Sequence, residues 1–188
     1  MIPPLEASGQ LPPGRYITDL DEVWQAFVLD VRFAASTTRA DVWSGLLDYL
    51  VEWRDVEQAV GLDLLRGLWI GGSFASGRTD PEDVDVSPVV DGEGLIAARG
   101  KPGAGRLNRL LGQRDSIRRT YHVEPWPVRW TPIASPFRQG TLRREEHDYL
   151  LWRGTMDDWW QRCRPAGPKQ APQRPTQVHD RGYLEVAL

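Results

Sequence analysis

A glycine-containing turn followed by two closely spaced aspartates constrains the fold of this chain more than any other feature. An apolar run at residues 68–70 leads into Gly71-Gly72-Ser73, and after nine intervening residues the sequence continues with Asp83-Val84-Asp85-Val86. Alternate residues of a β-strand point to the same face, so Asp83 and Asp85 are expected to project side by side. Two adjacent carboxylates repel each other unless a cation neutralises them. The pattern therefore predicts one strand that ends in a tight turn and a second strand that carries a cation site.

The residue types of both motifs indicate phosphate chemistry. Glycines allow backbone N–H groups to approach and surround a phosphate group. Mg²⁺ commonly binds one or two carboxylates and completes its coordination with waters and phosphate oxygens. Gly-Gly-Ser alone usually marks a simple turn, and Asp-x-Asp alone usually marks two solvated carboxylates. Their combination, in this order and at this spacing, predicts phosphoryl or nucleotidyl transfer.

The composition predicts one globular domain over residues 1–188 and excludes several classes of protein. The 188 residues are 40% hydrophobic and carry a formal net charge of −3, which excludes bulk affinity for nucleic acid but not a local basic patch. Cys163 is the single cysteine, so we expect no intramolecular disulfide and a reducing compartment. No apolar stretch approaches about 20 residues, and the first residues lack the features of a signal peptide. We therefore predict a cytoplasmic protein with no membrane partner.

The order of the motifs and of the apolar patterns predicts an α/β (α+β) fold. A short, mixed, twisted sheet is expected to carry the cleft, with helices behind it and two N-terminal helices as a flank. Apolar residues at helical spacing predict those two helices at 19–34 and 39–60. Four segments follow from these patterns: an extended arm at 1–17, a helical flank at 19–60, a catalytic core at 66–130, and a C-terminal helical segment and tail at 141–188.

Two elements are expected between the second motif and the C-terminal segment. Residues 106–120 are predicted to form a helix rich in arginine. The segment 121–130 alternates in polarity and contains Pro125 and Pro127, which favours an edge strand or an irregular strand.

The last part of the chain is predicted to be a helix followed by a loop. Residues 141–163 are expected to be helical with a break near Gly154, and Trp159-Trp160 is expected to anchor the C-terminal segment to the body of the protein. The Pro- and Gln-rich segment 164–182 is expected to be a loop. Its stretch 168–178 is interpreted either as surface loop or as an interaction tail.

The two motifs together closely resemble the signature of the DNA polymerase β-like nucleotidyltransferase superfamily, especially its minimal bacterial members. The resemblance covers about residues 66–130. A looser likeness, through Leu11-Pro12-Pro13-Gly14-Arg15 and the two N-terminal helices, extends to an uncharacterised stand-alone bacterial family within that superfamily. The resemblance implies the nucleotidyltransferase fold.

The resemblance also implies a role for each motif residue. Gly71, Gly72 and Ser73 would bind the phosphates of an NTP, and Asp83 and Asp85 would bind Mg²⁺ at a site that takes two metal ions. Glu124, on the first strand after the basic helix, is the candidate for the third carboxylate that the family usually supplies, as a metal ligand or as the base that deprotonates the acceptor.

Several assignments remain open at the level of the sequence. Glu124 is equally interpreted as a surface glutamate of an edge strand, with Asp91 and Glu93 as alternative third carboxylates. Arg78, between the two motifs, is a candidate phosphate ligand, and Arg118 and Arg119 on the basic helix are alternatives for phosphate or acceptor contact. The three histidines, at positions 122, 147 and 179, have no interval typical of zinc ligands.

The function implied by the resemblance is Mg²⁺-dependent transfer of NMP from an NTP to an acceptor. The expected acceptors are a protein, a tRNA or a small molecule, with a toxin–antitoxin or phage-defence module as the setting and a protein partner among the expected ligands. The acidic net charge favours a protein or a small molecule over tRNA. The alternative hypothesis is a catalytically weak scaffold or antitoxin that acts by protein binding. The oligomeric state and the preferred NTP stay open.

Overall fold

The protein folds as a mixed sheet of six strands with flanking helices. The computed structural model describes residues 1–163 and 178–188. The predicted mixed α/β class is therefore confirmed. The strands are β1 (Gly14–Thr18), β2 (Leu65–Gly71), β3 (Val84–Asp91), β4 (Val123–Pro125), β5 (Val128–Trp130) and β6 (Gly182–Val186). The helices are α1 (Leu20–Trp24), α2 (Arg39–Val60), α3 (Gly92–Ala97), α4 (Ala104–Gly112), α5 (Arg114–Tyr121) and α6 (Arg144–Trp160), with single turns of other helix types at Gln25–Leu29, Val31–Phe33 and Gln139–Thr141.

The strand order places the two motif strands side by side in the sheet. The order is β1-β6-β2-β3-β4, and β5 continues along the same side of β3 as β4. Strand β2 is antiparallel to both β3 and β6, whereas β4 and β5 run parallel to β3 and β1 runs parallel to β6. The glycine turn at the end of β2 therefore lies beside the start of β3, where the aspartates are.

Two prolines make the β4–β5 side of the sheet an edge, as the sequence predicts. The pairing keeps one register from Val84 opposite Val123 to Asp91 opposite Trp130. The backbone N–H of Trp126 donates to the carbonyl of Val86 on β3. Because residues alternate in a parallel ladder, the backbone nitrogens of Pro125 and Pro127 face away from β3, where no hydrogen is needed. The outer edge thus lacks two donors that a further strand would use.

The helices pack apolar residues against both faces of the sheet. The long helix α2 ends at Gly61, which has a φ of 65°, and buries one stripe of side chains against the main core. The stripe consists of Val42, Leu46, Tyr49, Trp53 and Val56, which have exposures of 2% or less. Helix α6 covers a second cluster that contains Trp69, Val128, Met156, Trp160 and Tyr183. Trp160 is 1% exposed and Trp159 packs against the same cluster while partly buried, so the anchoring role predicted for this pair is confirmed.

Both ends of the described chain contribute strands where the sequence predicts none. Residues 14–17, expected in an extended arm, belong to β1, and residues 182–186, expected in the C-terminal tail, form β6. Strand β6 lies between β1 and β2, so the two ends complete the sheet together. A five-residue strand whose partners are far away in sequence leaves no periodic pattern long enough to detect locally.

Three predicted helices differ in continuity from the structure. The first is interrupted after Asp30, whose side chain accepts a hydrogen bond from the backbone of Arg32 and starts a new turn. The basic helix is divided at Gln113 into α4 and α5. Helix α6 continues through Gly154 without a break.

Part of the predicted tail lies outside the described residues. Of the stretch 168–178, interpreted as a surface loop or an interaction tail, residue 178 alone is described. Among the helices of the described ranges, none has both the length and the apolar character needed to cross a membrane.

The close approach of α2 and α5 gives a first test of the packing. A side chain at Gly45 on α2 would overlap the carbonyl group of Tyr121 on α5, whereas Gly154 on α6 has nothing within 4 Å of an added methyl group. We expect Gly45→Ala to lower the free energy of unfolding by about 1–3 kcal/mol through overpacking. Gly154→Ala, as the matched helical control, should raise it by up to about 1 kcal/mol. Urea denaturation of both variants measures this difference, and equal effects would contradict the packing.

Candidate active site

The glycine turn contacts the aspartate strand directly. Gly71, the last residue of β2, pairs with Asp85 of β3. Gly72 follows with a φ of 69°, and a Cβ atom built on it would overlap the carboxylate of Asp85. Position 72 therefore requires glycine for two independent reasons, its left-handed backbone and the space that the carboxylate occupies.

Three carboxylates lie at the same end of the sheet. Asp83, which directly precedes β3, is 8% exposed, and Asp85 is the second residue of the strand. Glu124 of β4 stands opposite Asp85 in the parallel register. Paired residues of neighbouring strands project to the same face, so the Glu124 side chain shares the face of Asp85. The site thus draws its acidic groups from two strands and the residue before one of them.

The alternative third carboxylates lie elsewhere. Asp91 is the last residue of β3, seven positions after the first residue of the strand. Its side chain accepts a hydrogen bond from Gly94 N–H and pairs with Arg66. Glu93 is the second residue of α3 and pairs with Arg143 at 3.8 Å. The geometry brings Glu124 next to the aspartates and leaves Asp91 and Glu93 at the opposite end of the strand.

Two arginines of α5 neutralise part of this acidic end. Arg118 Nε lies 2.5 Å from Asp83 Oδ2, and Arg114 Nε lies 3.5 Å from Glu124 Oε1. The negative charge of Asp83 is the main cause that raises the pKa of Arg118, and the charge of Glu124 contributes. The Arg114 guanidinium also lies 4.2 Å from the ring centroid of Trp126.

The donor set suits a hard divalent cation, although the carboxylates are not gathered around a single point. Within the described ranges, no group of three or more His, Cys, Asp or Glu side chains is placed to hold a metal ion. Carboxylate oxygens are the ligands that Mg²⁺ prefers, and Asp83, Asp85 and Glu124 supply them from adjacent positions of the sheet. The Asp83 carboxylate already forms an ion pair with the guanidinium of Arg118. The residues therefore fit Mg²⁺ once Arg118 and Arg114 no longer pair with Asp83 and Glu124.

Arg39 holds the loop that connects the two motifs. Its side chain is 1% exposed and donates to four backbone carbonyls, two of which, those of Ser76 and Arg78, belong to the loop. A third, that of Phe74, directly follows the Gly-Gly-Ser motif, at 2.8 Å. Burial lowers the pKa of Arg39 to about 10, so the guanidinium remains charged at neutral pH. No sequence signal identifies this role, because an arginine in the first turn of a helix is usually solvated.

The far end of the same loop is tied to the start of α2. The carboxylate of Asp80 accepts hydrogen bonds from Thr37 N–H at 2.7 Å and from Ser36 Oγ at 3.1 Å. The N-terminal arm adds a third point, where Gly77 N–H donates to the carbonyl of Gly9. The position of the loop between the motifs is therefore fixed by contacts with segments that precede both of them.

The remaining arginine candidates occupy different places. Arg78 is exposed, and its guanidinium interacts within its own loop, with the Asp80 carbonyl at 3.1 Å and Glu82 at 3.9 Å. The Arg78 guanidinium thus shares the Glu82 carboxylate with Arg118, which lies 3.4 Å from it. Arg119 lies with Arg114 on the wall of a small cavity of about 570 Å³ at the start of α5.

The C-terminal helix packs beside the turn. Trp160 Nε1 donates to the hydroxyl of Ser87 at 2.9 Å, and a Cβ atom on Gly71 would approach the Trp160 ring to 2.8 Å. Ser87 and Asp85 are two positions apart on β3, so they share a face of the sheet. Helix α6 therefore covers the surface next to the aspartates, although nothing in the motifs predicts this.

A larger groove lies beside β5, towards the other end of the sheet. Its volume is about 1140 Å³, and its walls come from α3, α4, β5 and α6. Trp152 of α6 donates its indole N–H to the carbonyl of Pro127 and so spans the groove and the sheet edge. The lining mixes apolar groups with charges of both signs: Leu107, Leu111, Tyr149 and Trp152 with Arg99, Lys101, Arg129, Glu93, Glu145 and Asp148.

Comparison with known proteins gives one match. The sequence profile of a family of unknown function (DUF6932) matches residues 3–187. Since this covers nearly the entire chain, the protein belongs to that family. No curated protein matches, and no solved structure matches.

The contact between the glycine turn and Asp85 gives a second test. Gly72→Ala and Gly61→Ala both place a methyl group at a positive φ, 69° and 65°, but Gly61 has nothing within 4 Å. We expect Gly61→Ala to lose about 1–2 kcal/mol of folding free energy from backbone strain alone. Gly72→Ala should lose more and should also displace Asp85. Denaturant unfolding of both variants checks this, and a loss for Gly72→Ala no larger than that for Gly61→Ala would contradict the contact with Asp85.

The Asp80 contact should respond to acid. The hydrogen bond from the Thr37 backbone, with the Ser36 hydroxyl, lowers the pKa of this carboxyl. A carboxyl whose pKa is lower in the folded state stabilises the fold above its unfolded pKa, and that stabilisation disappears as the pH falls through the folded pKa. We expect Asp80→Ala to melt at a lower temperature than wild type at pH 7, and the difference to shrink as the pH falls below about 4 and to vanish once the pH is below the lowered pKa of Asp80. The exposed Asp48→Ala is the control, and a difference that persists at pH 2 would refute the role.

Proposed function

We propose that this member of the DUF6932 family is a Mg²⁺-dependent nucleotidyltransferase with the fold of the DNA polymerase β-like superfamily. One observation carries the proposal: the glycine turn abuts Asp85, and Glu124 stands opposite Asp85 on the next strand. A phosphate-binding turn in contact with a group of carboxylates is the arrangement that transfer from a nucleotide requires.

The carboxylates would hold the metal. Asp83, Asp85 and Glu124 would bind Mg²⁺, which when bound stabilises charge on the attacking and leaving oxygens of an in-line displacement at a two-metal site. Gly71, Gly72 and Ser73 would bind the β- and γ-phosphates through the turn. Arg78 is the weaker phosphate candidate, since its guanidinium interacts within its own loop.

The reaction forms one bond and breaks one. An acceptor oxygen bonds to the α-phosphorus of the NTP while the bond from that phosphorus to the bridging oxygen breaks, and pyrophosphate leaves. Glu124, whose side chain is 23% exposed, is accessible to accept the proton of the acceptor hydroxyl. Its alternative role is to complete the second metal site. The protein otherwise contributes positioning and charge, as in other phosphoryl transfers.

Because the groove beside β5 lies towards the end of the sheet opposite the carboxylates, an acceptor that contacts both must be extended, as a protein can be. The groove volume of about 1140 Å³ exceeds the roughly 300–1,000 Å³ that is usual for small ligands. A lining with charges of both signs suits a polypeptide better than the uniformly negative backbone of tRNA. A protein acceptor would fit an enzyme that modifies a partner protein in the cytoplasm, as in a toxin–antitoxin or phage-defence module.

The second candidate is a binding scaffold with little or no catalysis. It is favoured by the ion pairs of Asp83 and Glu124 with arginine, and by the lack of a three-ligand group within the described residues. On this hypothesis the arginines are permanent structural partners, and the groove binds a protein without modifying it.

Thermal unfolding with each of the four NTPs, with and without Mg²⁺, distinguishes the candidates. We expect one or more NTPs to stabilise the wild type only with Mg²⁺, by about 2.7 kcal/mol at a hundredfold excess over Kd. Asp83→Asn and Asp85→Asn should abolish the shift, because each removes one anionic ligand. Transfer of labelled nucleotide to co-purified protein, tRNA or small acceptors then identifies the acceptor.

The control for these variants is Asp48→Asn. Asp48 is an exposed carboxylate on α2, so its replacement should leave the nucleotide-dependent shift intact. If no NTP stabilises the wild type, or if Asp83→Asn and Asp85→Asn respond as the wild type does, the enzyme proposal fails and the scaffold is favoured.

A further inference from the structure

We propose that Arg114 and Arg118 are nucleotide-binding residues that exchange partners: they pair with the metal-site carboxylates before the nucleotide binds and with its triphosphate afterwards. The inference rests on the proposed function and extends it, because it assigns the polyphosphate ligands to α5 and not to the loop between the motifs.

The two arginines act from one face of one helix. They are four residues apart on α5, which places their side chains next to each other. Arg118 contacts Asp83 and also lies 3.4 Å from Glu82, while Arg114 contacts Glu124. Two positive groups from a single helix thus reach carboxylates on both sides of Asp85.

A divalent cation and these arginines compete for the same oxygens. Asp83 is 8% exposed, so leaving its carboxylate without any cation would be unfavourable. Arg118 supplies that cation through Oδ2, the atom it approaches to 2.5 Å. A metal ion that binds Asp83 must displace the guanidinium from this carboxylate or share it, because a carboxylate has few accepting positions.

The backbone of α5 is anchored, so displaced side chains stay near the site. Gly45 of α2 packs against the Tyr121 carbonyl, and the carbonyl of His122 accepts a hydrogen bond from Val84 N–H at the start of β3. His122 itself caps the helix with a φ of 54°. The end of α5 that follows Arg118 is therefore held against α2 and β3, and the arginine side chains remain within reach of a ligand that occupies the carboxylates.

Triphosphate is the ligand that suits the displaced groups. Guanidinium groups bind phosphate oxygens through paired hydrogen bonds, and more strongly than neutral donors do. An NTP brings several negative charges to an end of the sheet that is already acidic. The arginines offset that charge when they move from the carboxylates to the triphosphate. The same change of partners leaves Asp83 and Glu124 free to bind the metal, so metal binding is coupled to nucleotide binding.

Two titrations on one variant test the exchange. Arg118→Met is titrated with Mn²⁺ alone, followed by electron paramagnetic resonance, and with inorganic triphosphate in the presence of Mg²⁺, followed by calorimetry. We expect Mn²⁺ to bind about tenfold more tightly than to wild type, because a competitor is lost, and triphosphate about tenfold more weakly, because a ligand is lost. Arg114→Met should shift both affinities in the same directions.

Opposite changes are the required result. An arginine with a purely structural role would weaken both affinities or neither, and either outcome overturns the exchange. Arg54→Met, an exposed arginine on α2, is the control and should change neither affinity. If Arg118→Met does not fold, Arg118→Lys must show smaller changes of the same opposite signs, and their absence also overturns it.

The wild type separates this inference from the proposed function. If the wild type binds Mn²⁺ and triphosphate but the variants show no opposite changes, the exchange alone is wrong. If the wild type binds neither probe, the proposed function and the exchange are both wrong.

Discussion

The buried guanidinium of Arg39 is the interaction on which the arrangement of this site depends. It donates to carbonyls of three successive parts of the fold: Phe27 after α1, Phe74 after the glycine turn, and Ser76 and Arg78 in the connecting loop. Removing a charge from water is unfavourable unless its donors are satisfied, and these carbonyls satisfy four of them. One side chain of α2 therefore determines where the turn lies relative to the N-terminal helices.

At the acidic end of the sheet, arginine side chains reduce the repulsion between neighbouring carboxylates. Asp83 and Glu124 are each paired with an arginine of α5, and the chain places α5 between the two strands that carry these carboxylates. The ion pairs stabilise the protein without a ligand. They also keep positive groups beside the site, where a nucleotide would need them. Stability and the proposed chemistry thus make use of the same side chains.

The local motifs were sufficient to locate the strands and the turn, but not all of their neighbours. A strand ending in glycines, a strand that begins directly after Asp83 and carries Asp85, and an edge strand with two prolines each have a short-range pattern that backbone geometry explains. Strand β6 and the role of Arg39 have no such pattern. Both depend on contacts between segments far apart in sequence, and sequence spacing carries no information on which segments meet.

The sequence by itself determined the residue types of the candidate site and the glycine turn that ends one strand before the next begins, because these follow from local backbone conformation. Only the tertiary structure decided that Glu124 stands opposite Asp85 and that Asp91 and Glu93 lie at the other end of the strand. It also decided that Arg114 and Arg118, and not Arg78, meet the carboxylates. The physical reason is that strand register and helix placement are set by long-range packing, which no local pattern encodes.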